Sequence, residues 1–154
     1  MDVNQRDGNG RTPLCFACQS ERVEIVKILL KNGRGIEVNQ AYYQTCEYGT
    51  REMMKIMLRD ERVDVNQGDK NGRTTLWMSC EYGKMAAVEI LFASGRRIDV
   101  TKKPIRGDGK WKNFTAAEVA RKHNYHQIAE LVDEYERNPK EVILRLRKEL
   151  GNLI

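Results

Sequence analysis

Cysteines and histidines are the side chains from which chemistry could be built here, and their spacing decides which chemistry. Cys15-x-x-Cys18 has the interval of half a zinc site or of a dithiol pair, and His123-x-x-His126 offers two imidazoles. Neither set is completed in the sequence, because a structural zinc ion takes four ligands and no second pair stands at a matching interval. Gly8-Asn9-Gly10, Gly33-Arg34-Gly35 and Gly107-Asp108-Gly109 lack the third glycine and the strand-to-helix setting of a dinucleotide loop, and no Walker-type loop is present. They read as turns. No nucleophile, base and orienting acid can be assembled, so the expectation is no catalysis, no metal and no cofactor. The cysteines become core residues, and His123 and His126 solvated loop residues.

What remains to be explained is the framework, and one stretch sets it. Asp69-Lys70-Asn71-Gly72 is a turn cluster, since Asn and Gly tolerate positive φ and Asp can satisfy its own backbone. Thr74 follows as a helix cap before Leu76, Trp77, Met78 and Cys80, and Gly83 breaks that helix. Met85, Val88, Ile90, Leu91 and Phe92 supply a second apolar face, closed by Ser94-Gly95. A helix of fewer than ~12 residues is marginal in isolation, so such a unit needs neighbours. The unit recurs: Asp7-x-x-Gly10-Arg11-Thr12-Pro13-Leu14 lies on Asp69-x-x-Gly72-Arg73-Thr74-Thr75-Leu76, Cys18 on Cys80, and Val26-x-Ile28-Leu29 on Val88-x-Ile90-Leu91. Self-similarity of this kind marks a stacked-repeat array.

These residues resemble the ankyrin repeat. Asp7-x-x-Gly10-x-Thr12-Pro13-Leu14-x-x-Ala17 with Val26-x-x-Leu29-Leu30-x-x-Gly33 and Val38-Asn39 carries the likeness, and Asp69-x-x-Gly72-x-Thr74-x-Leu76 with Val88-x-x-Leu91-x-x-x-Gly95 carries it again. The resemblance implies an all-α fold, an ankyrin-repeat solenoid of about four helix-pair repeats with β-turn fingers and a C-terminal capping helix. The array spans 1–135, with repeats at 7–40, 41–67 lacking its finger, 69–101, and 102–135 with a long finger; 136–154 forms the cap. Two departures stand out. The histidine that the family carries after Thr-Pro-Leu is Cys15, Tyr43 and Trp77 here, which removes an inter-repeat hydrogen bond and shifts rigidity onto packing. The Gly33-to-Asn39 linker is longer than in the usual ~33-residue repeat.

Composition agrees with such an array. The net charge is +5, aromatics are 7% of residues, and no apolar run approaches the ~20 residues of a membrane span. Met1 leads into Asp2-Val3-Asn4-Gln5 with no signal-peptide core, which predicts an intracellular, soluble chain of the cytoplasm or nucleus. The same tetrad returns as Glu37-Val38-Asn39-Gln40, Asp64-Val65-Asn66-Gln67 and, altered, Asp99-Val100-Thr101, marking each junction. Cys18, Cys46 and Cys80 hold equivalent places in successive units, too far apart for disulfides, and fit a reducing compartment.

The second unit lacks residues equivalent to Arg6 through Thr12, and so loses its finger and the threonine cap of its first helix. The fourth finger, by contrast, is long and basic, with Lys102, Lys103, Arg106, Lys110, Lys112 and an exposed-looking Trp111. Asn138-Pro139-Lys140-Glu141 opens a last helix whose stripe of Val142, Ile143, Leu146 and Leu150 faces the array while Arg145, Arg147 and Lys148 face water. The family's binding positions carry over onto Asn9, Arg11, Gln19 and Ser20; Glu47 and Tyr48; and Lys70, Arg73, Glu81 and Tyr82, with Trp111 added from the long finger. Bound there, by this resemblance, is a partner protein, against a concave face of fingers and inner helices. The alternative reading is nucleic acid or an anionic surface held by residues 102–112 and the C-terminal helix. A monomer is expected, or a piece of a longer array; Phe16 and the open N-terminal face leave self-association as a further option.

Overall fold

The computed structural model describes residues 2–48, 50–106 and 110–151, which fall into two compact units, Met1–Asp64 and Val65–Ile154. Gly107, Asp108 and Gly109, one of the paired-glycine turns, lie outside the described residues.

In the first unit, Thr12 caps α1 (Pro13–Gln19), accepting from the Cys15 N–H, and proline at the first position costs nothing because that N–H has no helical partner. The chain turns back into α2 (Val23–Asn32), and Gly33 caps it with φ −79 rather than a left-handed value. Glycine is needed there for a different reason: a Cβ would stand 2.5 Å from the Leu29 carbonyl oxygen. The second repeat does not show a frayed start. Helix α3 (Asn39–Tyr48) begins inside the junction tetrad itself, so the missing finger is replaced by helix, and Thr50 caps α4 (Arg51–Arg59) by accepting from the Met53 N–H. Leu14, Cys18, Ala41, Tyr42, Met53 and Met57 form the buried centre, with the Cys18 and Met57 sulfurs 4.0 Å apart.

In the second unit, α5 (Thr75–Glu81) and α6 (Met85–Ala93) form one pair and α7 (Ala116–Lys122) and α8 (His126–Arg137) another. Thr74 and Thr115 are the caps, the latter in a reciprocal capping box with Glu118. Helix α9 (Pro139–Leu150) packs on α6 and α8 through Val142 and Leu146. The Arg147 side chain does not simply face water: its Nε donates to the Ala93 carbonyl at 2.9 Å, at the C-terminal end of α6. Arg62 does the equivalent work in the first unit, donating to the carbonyls of Leu30 and Gly33 at 2.7 and 3.1 Å. A cation suits both places because a helix C-terminus presents unpaired carbonyls and the negative end of its dipole.

Two backbone devices repeat. Between the helices of a pair stands one residue at positive φ: Glu21 (53°), Gly83 (66°) and Asn124 (62°). Gly83 and Asn124 are residue types that tolerate it, and Glu21 is not. The second device is the junction asparagine. Asn4 donates to the Gly35 carbonyl and accepts from the Glu37 N–H, both at 2.9 Å; Asn66 repeats this with Arg97 and Asp99 at 2.8 Å. Asn39 accepts from the Asp64 N–H at 2.9 Å. Each tetrad therefore holds the backbone of the next one, which is the physical reason for its recurrence.

Candidate partner-binding surface

The first and third fingers are built alike, atom for atom. Asp7 Oδ1 accepts from the N–H groups of Asn9 and Arg11 at 2.9 Å, and Asp69 Oδ1 from those of Asn71 and Arg73 at 2.9 and 3.0 Å. The second carboxylate oxygen of each takes the arginine Nε at 2.9 Å. Gly10 and Gly72, at φ 76° and 82°, close the turns. The Arg11 backbone N–H and then its guanidinium hold the Asp7 carboxyl below the usual carboxylate range.

From the fingers the two arginines reach the inner helices. Arg11 donates to Gln19 Oε1 at 2.9 Å and lies over the Phe16 ring at 5.3 Å; Arg73 stands 3.8 Å from Glu81 Oε2. Burial pushes the Glu81 carboxyl upward in pKa, with nearby Arg73 and then His123 opposing it. The structure thus sorts the residues singled out by sequence into two kinds. Asn9, Ser20, Glu47, Tyr48, Lys70 and Tyr82 are exposed, and Tyr48 and Tyr82 are among the most exposed large apolar side chains. Arg11, Gln19, Arg73 and Glu81 are half-buried and tied to one another, so each finger is fixed against its own inner helix.

Trp111 is half-buried, not the exposed ring its lysine-rich setting suggests. It meets Phe114 edge-on at 5.8 Å and His123 at 5.1 Å, with the Lys110 ammonium 5.1 Å above it. His123 is likewise no solvated loop residue: it is half-buried between Trp111 and Tyr125, and its Nε2 is enclosed with no hydrogen-bond partner. The arm leading to them lies along the third finger, where the N–H groups of Ile105 and Arg106 both donate to the Asn71 carbonyl at 3.1 and 3.2 Å. Ile105 and Tyr125 are exposed as well, and neither is among the positions singled out by sequence. Their exposure depends on contacts between distant residues, for which no local pattern exists.

The four cysteines are buried thiols, and burial pushes those of Cys18 and Cys80 up to about 12. A thiolate is the reactive and metal-binding form, so these groups are chemically quiet at neutral pH. Among the described residues there is no group of three His, Cys, Asp or Glu side chains able to hold a metal ion, and no helix long and apolar enough to cross a membrane.

Comparison with known proteins gives the same repeat. Residues 42–141 match the family model for ankyrin repeats in three copies, and residues 9–43 match the single ankyrin repeat. Human transient receptor potential cation channel subfamily A member 1 is 28% identical over 123 residues, 77% of this chain and 10% of the channel. A putative ankyrin repeat protein of Rickettsia bellii is 34% identical over 61 residues, 36% of each chain. Human scaffold protein ILK is 35% identical over 66 residues, 43% of this chain and 14% of that protein. The chain thus spans about a third or less of the length of these relatives.

Proposed function

Since the chain belongs to the ankyrin-repeat family, whose repeats generally mediate contacts between proteins, we propose that it is a non-catalytic scaffold binding a partner protein through fingertips and inner-helix ends. The observation that carries this reading is the division of labour at the fingers. Asp7 with Arg11, and Asp69 with Arg73, turn their polar groups inward and hold each finger rigid, which leaves Asn9 and Lys70 presented at the fingertips, while Tyr48 and Tyr82 are exposed at the ends of α3 and α5. Preorganisation lowers the entropy cost of association, and tyrosine is enriched where interfaces bind tightly. A reducing compartment, cytoplasm or nucleus, suits the buried thiols.

The test uses Tyr48→Ala and Tyr82→Ala, singly and together, in capture of partners followed by titration calorimetry with the protein captured. Each substitution is expected to weaken binding about tenfold or more while leaving the melting temperature unchanged. Arg11→Ala and Arg73→Ala are poorer probes, because they also loosen the fingers. Equal affinity of wild type and the double variant overturns the assignment. Nucleic acid bound at residues 102–112, with affinity falling steeply as salt rises, replaces it with the electrostatic reading.

A further inference from the structure

The same tripeptide, Asn-Gly-Arg, stands at 9–11, 32–34 and 71–73, preceded by Gly8, Lys31 and Lys70. Asparagine before glycine carries a reaction of its own. The next main-chain nitrogen can reach the side-chain amide carbon, and glycine, having no Cβ, neither blocks that approach nor restricts the backbone that must swing to make it. The three copies share the residues that follow the asparagine, so differences among them come from the fold.

The fold treats them unequally. Asn32 is the last residue of α2, where the Gly33 N–H donates to the Leu29 carbonyl at 2.8 Å and a Cβ on Gly33 would stand 2.5 Å from the same oxygen. That peptide has no room to turn. Asn9 and Asn71 hold one place in two matched fingers, and the N–H that follows each donates to the carbonyl of Asp7 or Asp69, at 2.9 and 2.8 Å. This restraint is common to both. Attack requires the asparagine peptide to rotate, and there the fingers part. The Asn71 carbonyl accepts from both Ile105 and Arg106, and the Cβ position of Gly72 lies 3.3 Å from the Ile105 nitrogen and 3.5 Å from Pro104 Cα. Those two donors make the Gly72 N–H slightly more acidic, but rotation breaks both bonds before the nitrogen arrives, so the cover prevails. Asn9 is exposed where Asn71 is half-buried, and its carbonyl has no hydrogen bond among the described residues. No described atom stands within 4 Å of where a Cβ on Gly10 would be.

We propose that Asn9 is a site of spontaneous deamidation in the folded chain, and that the arm lying on the third finger protects Asn71 from the same fate. The Gly10 nitrogen, its proton taken by solvent, bonds to Asn9 Cγ and closes a succinimide, while Nδ2 leaves as ammonia. Water then opens the ring. Cleavage of the bond from Cγ to nitrogen gives aspartate; cleavage of the original main-chain bond gives isoaspartate, whose backbone runs through the former side chain. No oxidant or reductant takes part. Either product adds an anion beside Asp7, and isoaspartate also lengthens the turn in which Asp7 Oδ1 accepts from the N–H groups of residues 9 and 11. An effect on partner binding rests on the scaffold reading above, whereas the modification does not.

Peptide mapping by mass spectrometry tests it, with the 154-residue chain aged at mildly alkaline pH, folded and in parallel in urea. In the folded chain Asn9 is expected to convert about tenfold or more faster than Asn71 and Asn32, since it has fewer bonds to lose. In urea the three should converge. Ile105→Pro removes one of the two donors to Asn71 and should move the Asn71 rate toward that of Asn9, with the helical signal unchanged. An Asn71 that keeps pace with Asn9 in the folded wild type overturns the proposal, as does an Asn9 that stays intact while urea converts it. A ranking that persists in urea assigns it to the sequence and overturns the structural argument. An Asn71 indifferent to Ile105→Pro removes the arm's protective role. The readout is mass and not affinity, so failure here is distinct from failure of the scaffold reading.

Discussion

Trp77 occupies the place where the family's histidine would tie one repeat to the next, and it restores that tie in a different way. Its indole is fully buried, yet Nε1–H donates to the Phe114 carbonyl of the following repeat at 2.9 Å. Trp77→Phe keeps most of the apolar bulk and removes the donor, so it should cost about 1–3 kcal/mol in urea unfolding, with the denaturant slope unchanged. Cys18 and Cys80 give a second prediction. Their folded-state pKa is raised by burial from 9.0 to about 12, so folding favours the neutral thiol. Their contribution is present in full below the unfolded value and is lost as pH rises from about 9 toward about 12. The native Cys18 and Cys80 thiols should therefore resist alkylation at pH 8 and react only on unfolding, as a timed reaction with iodoacetamide with and without urea will show. Prompt labelling of all four without denaturant would contradict their placement.

The elements were legible in the sequence wherever a cap or a stop is made by one residue type. Thr12, Thr74 and Thr115 cap as their spacing demands, Gly83 takes the left-handed turn, and Asn138 accepts from the Glu141 N–H at the start of α9. Legibility failed where the determinant is distant. Glu21 adopts positive φ with an ordinary side chain, and α3 starts at Asn39 although no capping pattern announces it. His123 and Trp111 look like surface residues until their rings are seen to meet, 5.1 Å apart, across a gap in sequence that no local pattern spans. The junction tetrad was readable as a boundary but not as a clasp. Asn66→Ala removes two hydrogen bonds to Arg97 and Asp99 and should cost about 1–3 kcal/mol, against no more than a few tenths for Thr101→Ala, whose side chain bonds only within its own turn to Asp99. Parallel thermal melts of the two variants check the difference.

For the molecule as a whole, 27 cationic and 22 anionic side chains mix along the chain, and many are already paired. Surface pairs of this kind stabilise little and leave a weak net field. If a protein partner is bound as proposed, its affinity should accordingly fall less than about tenfold between 50 and 300 mM salt, a much flatter response than phosphate recognition gives. Calorimetry at the two salt concentrations decides the matter. The clasps at Asn4, Asn39 and Asn66 carry one more implication. They grip main-chain atoms, which every residue type but proline supplies, so these bonds do not depend on the side chains of the module they receive. Duplication or exchange of a module at these seams leaves these bonds intact, and only the side-chain packing beside them has to be matched anew.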